Sequence, residues 1–172
     1  ALSDVRLTAR SMSFHAKCIK KYLPGFSVLS MPTTRNYNIN KNGIVVNVDR
    51  NKSRRQKGGS RMNTMGGSMF ILSPRCATNI VNKKADSSGL GITGYVKLSI
   101  NGQKLCVISI YRPISQSCPG SSTIYARLQS YLHKIKSSLS PEGFVLNSVS
   151  KWIYAARVEG YKVIVGGDFN MT

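Results

Sequence analysis

The sequence predicts a mixed α/β (α+β) domain, and three observations carry that expectation. Residues 94–100 alternate with period two, as a half-buried strand does, and Asn101-Gly102 turns them into a returning strand at 105–111. Residues 122–139 and 142–158 repeat apolar side chains every three to four positions, as helices do. Tyr161-Lys162-Val163-Ile164-Val165 then reads as a buried strand running into Gly166-Gly167-Asp168-Phe169-Asn170. Hairpin and helical patterns interleave with no internal repeat, which suits layered sheet and helix better than a purely parallel sheet.

From the start of the chain, Val5, Ala9, Met12, Ala16, Ile19 and Leu23 make one apolar stripe over a helix at 4–22. Ser3 and Asp4 suit its first turn, and Lys17, Lys20 and Lys21 its last, with Pro24-Gly25 as the stop. Residues 26–31 read as a strand closed by Pro32, and residues 43–48 as another. Residues 49–68 are basic and glycine-rich with no apolar period, the mark of a loop. Met69-Phe70-Ile71-Leu72 is a short strand. The strand 94–100, the Asn101-Gly102 turn and the strand 105–111 follow, with Pro113 ending the second. In the helix at 122–139, Tyr125, Leu128, Leu132, Ile135 and Leu139 make the expected buried face. The helix at 142–158 has a weaker stripe of Val145, Val149, Trp152 and Ala156, and Gly160 fits its C-terminal cap.

Composition narrows the function. The chain has 172 residues, enough for one domain with a core, and 25 Lys and Arg against 6 acids give a net charge of +19. So basic a chain is attracted to polyanions, of which nucleic acid is the commonest. Any site for Mg²⁺ must draw on Asp4, Asp49, Asp86, Glu142, Glu159 and Asp168, or on residues elsewhere. Cys18, Cys76, Cys106 and Cys118 lack zinc-ligand spacing; Cys106 reads as a buried thiol, which suits a reducing, intracellular compartment, nuclear or cytoplasmic. No apolar run approaches the ~20 residues of a membrane span, so no membrane association is expected. The first residue is Ala, so the chain reads as processed or as a fragment.

Two segments carry chemistry. Asp168 and Asn170, two apart in an extended segment after paired glycines, point to one side of the chain. A carboxylate there can take a proton or orient a water, and the amide can hold a phosphate oxygen without repelling it. Read alone, Asp-x-Asn after a strand is more often a turn. Ser109-Ile110-Tyr111-Arg112-Pro113 brings a phenol and a guanidinium to a strand end, where both can contact a phosphate; a strand-end Tyr with a solvated Arg is the plainer alternative. Lys52-Ser53-Arg54-Arg55-Gln56-Lys57 and Arg61 suit sequence-independent phosphate contacts or a solvated loop.

Taken together, LCVISIYRP, an amphipathic helical stretch and KVIVGGDFN resemble the endonuclease/exonuclease/phosphatase family, the fold of deoxyribonuclease I. Its members carry a strand ending in Tyr-x-Pro and a later strand ending in Gly-Asp-Phe/Leu-Asn. GGSMFILSP followed by GYVKLSINGQKLCVISIY is similar to the family's central strands, and Tyr-Arg-Pro is similar to non-LTR retrotransposon endonucleases. The resemblance runs clearly over residues 67–172 and less so over 1–66. It implies a two-layer β-sandwich flanked by helices, and hydrolysis of a phosphate ester with Mg²⁺. It implies that Asp168 orients or deprotonates the attacking water, that Asn170 helps position water and phosphate, and that Tyr111 contacts the scissile phosphate; Arg112, next to Tyr111, is the expected substrate-binding residue on its own chemistry.

The resemblance also implies an incomplete domain, residues 1–172 being its central part. The family's early strand bearing Asn, its Glu-bearing strand, and its late Asp and His motifs have no counterpart here. His15 and His133 fall on helices away from the family's catalytic His, and Glu142 and Glu159 flank a helix. The expectation is therefore an endonuclease-like chain for nucleic acid, DNA foremost, inactive as it stands, with no metal ligands of its own. The alternatives are a noncatalytic nucleic-acid-binding remnant and a phosphatase of the same fold. Oligomeric state is open.

Overall fold

The computed structural model describes residues 17–19, 21–23, 25–31, 37–39, 45–47, 68–114 and 123–170. Residues 17–19 and 21–22 are helical (α1). There follow β1 (Ser27–Met31), β2 (Tyr37–Ile39), β3 (Val45–Asn47), β4 (Ser68–Leu72), the short helix α2 (Pro74–Ala77) and β5 (Ile80–Ala85). Then come β6 (Thr93–Ile100), β7 (Gln103–Tyr111), α3 (Ile124–Lys134), α4 (Pro141–Val158) and β8 (Lys162–Asp168). The strands form a β1-β4 pair, a β2-β3 pair and a four-stranded sheet in the order β5-β6-β7-β8.

Period-two patterning in β4, β6 and β7 builds the layers. Tyr95, Cys106, Ile108 and Ile110 turn one face of the large sheet toward α3 and α4. Val96 and Leu98 turn the other face toward Phe70 and Leu72 of β4. On the far side of β4, Met69 packs with Val28 of β1 and Ile19 of α1. The order is thus helix, sheet, sheet, helix, an α+β sandwich of two β layers flanked by helices. Each fully buried aliphatic side chain at these interfaces contributes about 1.5–3 kcal/mol.

The Asn101-Gly102 turn closes β6 onto β7 with φ of 50° and 77°, the left-handed pair whose twist matches the strands. β7 and β8 are parallel, so the chain must cross over between them, and α3 and α4 make that crossover. Thr123 Oγ1 accepts from the Ala126 N–H at the start of α3, and Ser140 Oγ from the Gly143 N–H at the start of α4. The helices meet edge to face, Tyr131 on Phe144 at 5.9 Å, and Trp152 of α4 meets Tyr95 of β6 at 5.2 Å.

Several sequence expectations need correction. α3 ends at Lys134 and Lys136 takes φ 53°, so Ile135 and Leu139 lie beyond the helix and are exposed. The buried face of α3 is instead Ile124, Leu128, Tyr131 and Leu132, with Tyr125 half-buried. α4, expected to be the weaker helix, is the longer of the two at 18 residues. β8 alternates rather than being buried: Lys162 and Ile164 face solvent while Val163 and Val165 pack on the core. Leu23 is exposed, and β2, α2 and β5 lack counterparts in the sequence reading. Of the helix expected at 4–22, residues 17–19 and 21–22 are helical and the rest lie outside the described residues, as do residues 49–67 of the loop expected at 49–68, whose last residue, Ser68, opens β4 instead.

Candidate functional site

The parallel register of β7 and β8 ends with Tyr111 opposite Asp168. Residues in register on neighbouring strands share a face, so phenol and carboxylate come out side by side. Both strands end here, and the carboxyl ends of parallel strands are where open α/β sheets receive ligands. Asp168 is exposed; Tyr111 is half-buried and packs against the larger core.

Just beyond the strands, the two exits are tied to each other. The Arg112 N–H donates to the Asp168 carbonyl at 2.9 Å, continuing the ladder by one bond. Asn170 Nδ2 donates back to the Arg112 carbonyl at 2.7 Å, and the Asn170 N–H donates to Asp168 Oδ1 at 3.0 Å. Asn170 takes φ 43°, a left-handed conformation that asparagine tolerates better than most residues. Arg112 Nη1 lies 3.5 Å and 3.4 Å from the carbonyls of Phe169 and Asn170, long contacts that steer the guanidinium more than they bind it. Arg112 Nε is buried with no hydrogen-bond partner among the described residues.

All four residues singled out in the sequence therefore meet at one place, although their roles shift. The turn reading of Asp-x-Asn holds as well, because the Asp168 carboxylate caps the Asn170 N–H. Asn170 uses its amide nitrogen to brace the exit of β7. In this geometry it positions Arg112 and Asp168, whatever its amide oxygen contacts.

Two further features contribute to the site. Gly167 takes φ 146°, and a Cβ there would lie 1.9 Å from the Ile110 carbonyl oxygen, so only glycine lets β8 come this close to β7. One step back, Ser109 pairs in register with Gly166. Ser109 is fully buried, and its Oγ has no partner among the described residues. It lies on the same strand face as Tyr111, two residues on. The sequence signal was there: a lone hydroxyl in the apolar run Val107-Ile108-Ser109-Ile110. An unsatisfied buried hydroxyl does not stabilise a fold, so Ser109→Ala should melt at or above the parent temperature, within about 1 kcal/mol. A drop well below it in thermal denaturation would mean that the hydroxyl has a structural partner.

The other acids among the described residues lie elsewhere, and Asp4 and Asp49 lie outside the described residues. Asp86 is buried in the β5–β6 connection, where it accepts from the Ser88 N–H, the Ser88 hydroxyl and the Thr93 N–H. Burial pushes its carboxyl above the ordinary range, against the pull of those donors. Glu142 sits in the first turn of α4, and Glu159 pairs with Lys97. Cys106 is buried, which raises its thiol, and His133 is exposed on α3. Among the described residues, no three His, Cys, Asp or Glu side chains come together as a metal site. Among the described residues Asp168 is the one carboxylate at the strand ends, and it already accepts a backbone N–H. These residues alone do not fit a resident Mg²⁺, which takes near-octahedral oxygen ligands, and no chemical step here runs through one. No helix of the described residues is long and apolar enough to cross a membrane.

No family model matches this chain, and no curated protein does. The functional reading therefore rests on the site and the charge.

Proposed function

We propose that the strand-end site binds a phosphodiester of nucleic acid, DNA foremost, and belongs to an endonuclease-like hydrolase of the endonuclease/exonuclease/phosphatase type. The observation that carries the reading is the register of Tyr111 with Asp168 beside Arg112, whose Nε has no partner among the described residues. The two-layer sandwich flanked by helices and the +19 charge support it. In this reading Arg112 holds a phosphate oxygen with a charge-assisted hydrogen bond, and the Tyr111 hydroxyl donates to the same group. Asp168, exposed and oriented by the Asn170 N–H, takes the proton of an attacking water. The resemblance implies Mg²⁺ as the cofactor; its donors would have to come from beyond the described residues.

Two measurements test this. Titrating the chain with a deoxydinucleotide monophosphate should shift the backbone NMR signals of Tyr111, Arg112 and Asn170. Arg112→Gln should weaken the binding by about tenfold or more, since a hydrogen bond to a charged group is worth ~1.5–3 kcal/mol. Shifts confined to other surfaces would sink the phosphate assignment. Supercoiled plasmid in Mg²⁺ tests the chemistry: nicking by the chain should be slight or absent, and whatever occurs should vanish in Asp168→Ala. Nicking that survives that substitution would remove Asp168 from the role of base.

A second reading has its own support. The Asp168 carboxylate is engaged in a turn and no other acid among the described residues joins it, as in a noncatalytic nucleic-acid-binding chain. Binding that falls steeply with salt, with no nicking by the parent chain even with Mg²⁺, would favour it.

A further inference from the structure

The outward face of α4 carries a pattern that the strand-end site does not use. Tyr154 is 73 % exposed. Lys151 and Arg157, both exposed, flank it three residues to either side. On a helix such residues are neighbours, so one aromatic ring sits between two cations. Val158, 70 % exposed, lies four residues on and extends the apolar platform. At the same end of the molecule Lys104 donates to the Glu159 carbonyl just past α4, and Lys162, exposed, opens β8. Glu159, the one acid nearby among the described residues, is taken up by Lys97. The local charge is therefore strongly positive.

We propose that this face of α4 is a second nucleic-acid contact, one that stacks a base of a single strand on Tyr154 while Lys151 and Arg157 hold the flanking phosphates. The proposal rests on the nucleic-acid part of the reading above and is independent of hydrolysis. Aromatic rings between cations suit single strands, whose unpaired bases offer a flat face, and do not suit duplexes, whose bases are already stacked. An acidic protein segment would meet the same charge but gains little from a flat ring. The patch lies toward the start of β8, and Asp168 ends that strand six residues on from Lys162, about 20 Å away at strand rise. One strand can thus be held at a point remote from the site where it is bound for reaction.

The test uses the whole chain and a fluorescein-labelled oligothymidine, read by anisotropy. Tyr154→Ala should weaken binding by about 5- to 150-fold, the range for one stacked base. Lys151→Gln/Arg157→Gln should flatten the plot of log affinity against log salt by about 1.4, two phosphates at ~0.7 each. Tyr154 is exposed, so its variant should melt with the parent, which separates lost contact from lost fold. Tyr154→Ala should keep the deoxydinucleotide shifts at Tyr111, Arg112 and Asn170; strand-end binding and stacking can therefore fail separately. Unchanged affinity in Tyr154→Ala would overturn the proposal. So would a preference for duplex that ignores Tyr154, or full displacement of the oligonucleotide by polyglutamate at equal charge, which would point to an acidic protein partner.

Discussion

Gly167→Ala is expected to lower stability by at least ~3 kcal/mol, a drop of roughly 6–12 °C in melting temperature for a chain of this size. A Cβ at Gly167 would lie 1.9 Å from the Ile110 carbonyl oxygen and 2.9 Å from the Ile110 carbonyl carbon and amide nitrogen. All three are backbone atoms, so no side-chain rotation relieves the clash, and φ 146° adds strain for any residue with a Cβ. The relief available is to separate β8 from β7, which breaks the bonds that hold Asp168 against Tyr111. The neighbouring Gly166 is the control. No atom lies within 4 Å of a Cβ built there, and its φ is not in the left-handed range. Gly166→Ala should stay within ~0.5–1 kcal/mol of the parent. Thermal melts of both variants decide the matter: equal melting temperatures would mean that β8 does not approach β7 as closely as described. Phosphodiester binding should fall in parallel with the Gly167 variant, because the site exists only while the strands are paired.

The sequence makes local elements legible and leaves their partners open. Asn101-Gly102 announces a hairpin because two left-handed residues in a row have few other uses, and β6 and β7 follow from their alternation. The meeting of Tyr111 with Asp168 was expected from family resemblance. Local pattern could not supply it, since a parallel pair is joined by a long crossover and its register is set by packing. β5 was illegible because Val81, Asn82, Lys83 and Lys84 are all exposed, so no alternation marks the strand. The face of α3 was misplaced because Ile135 and Leu139 continue the helical period past the point where Lys136 turns left-handed. The second role of Asn170 was hidden for a different reason: its partner, the Arg112 carbonyl, is a backbone atom 58 residues away.

The ion pair of Lys97 and Glu159 gives the second large effect. The Lys97 side chain is 7 % exposed and Glu159 51 %, with Lys97 Nζ 2.7 Å from both carboxylate oxygens. The ammonium also lies over the rings of Tyr95 at 5.5 Å and Tyr161 at 5.0 Å. Removing the counter-charge strands a cation among aromatic rings, whereas replacing the cation with an apolar chain does not. Glu159→Gln should therefore cost about 1–3 kcal/mol, below the ~3–5 of a fully buried pair because water reaches the carboxylate. Lys97→Met, similar in length and set beside Tyr95, Cys106 and Tyr161, should cost no more than ~1 kcal/mol. Denaturant melts of the two single variants and the double variant check this, and equal losses in both singles would refute the asymmetry. The pH dependence has a definite sign. Burial opposes the Lys97 charge, but Glu159 outweighs it and holds the ammonium above the ordinary lysine value of 10.5. A raised lysine contributes its full stabilisation below 10.5 and loses it as the pH climbs through the folded value. The parent's share of that stabilisation should thus stay constant from neutral to mildly alkaline pH and be lost above 10.5, whereas in Glu159→Gln, with burial acting on Lys97 unopposed, the penalty should ease at a lower pH. The pair bonds the middle of β6 to the residue just past α4, immediately before β8 begins. It therefore fixes where β8 starts along β7, and that starting point, carried through an unbroken register to Gly167, brings Asp168 level with Tyr111.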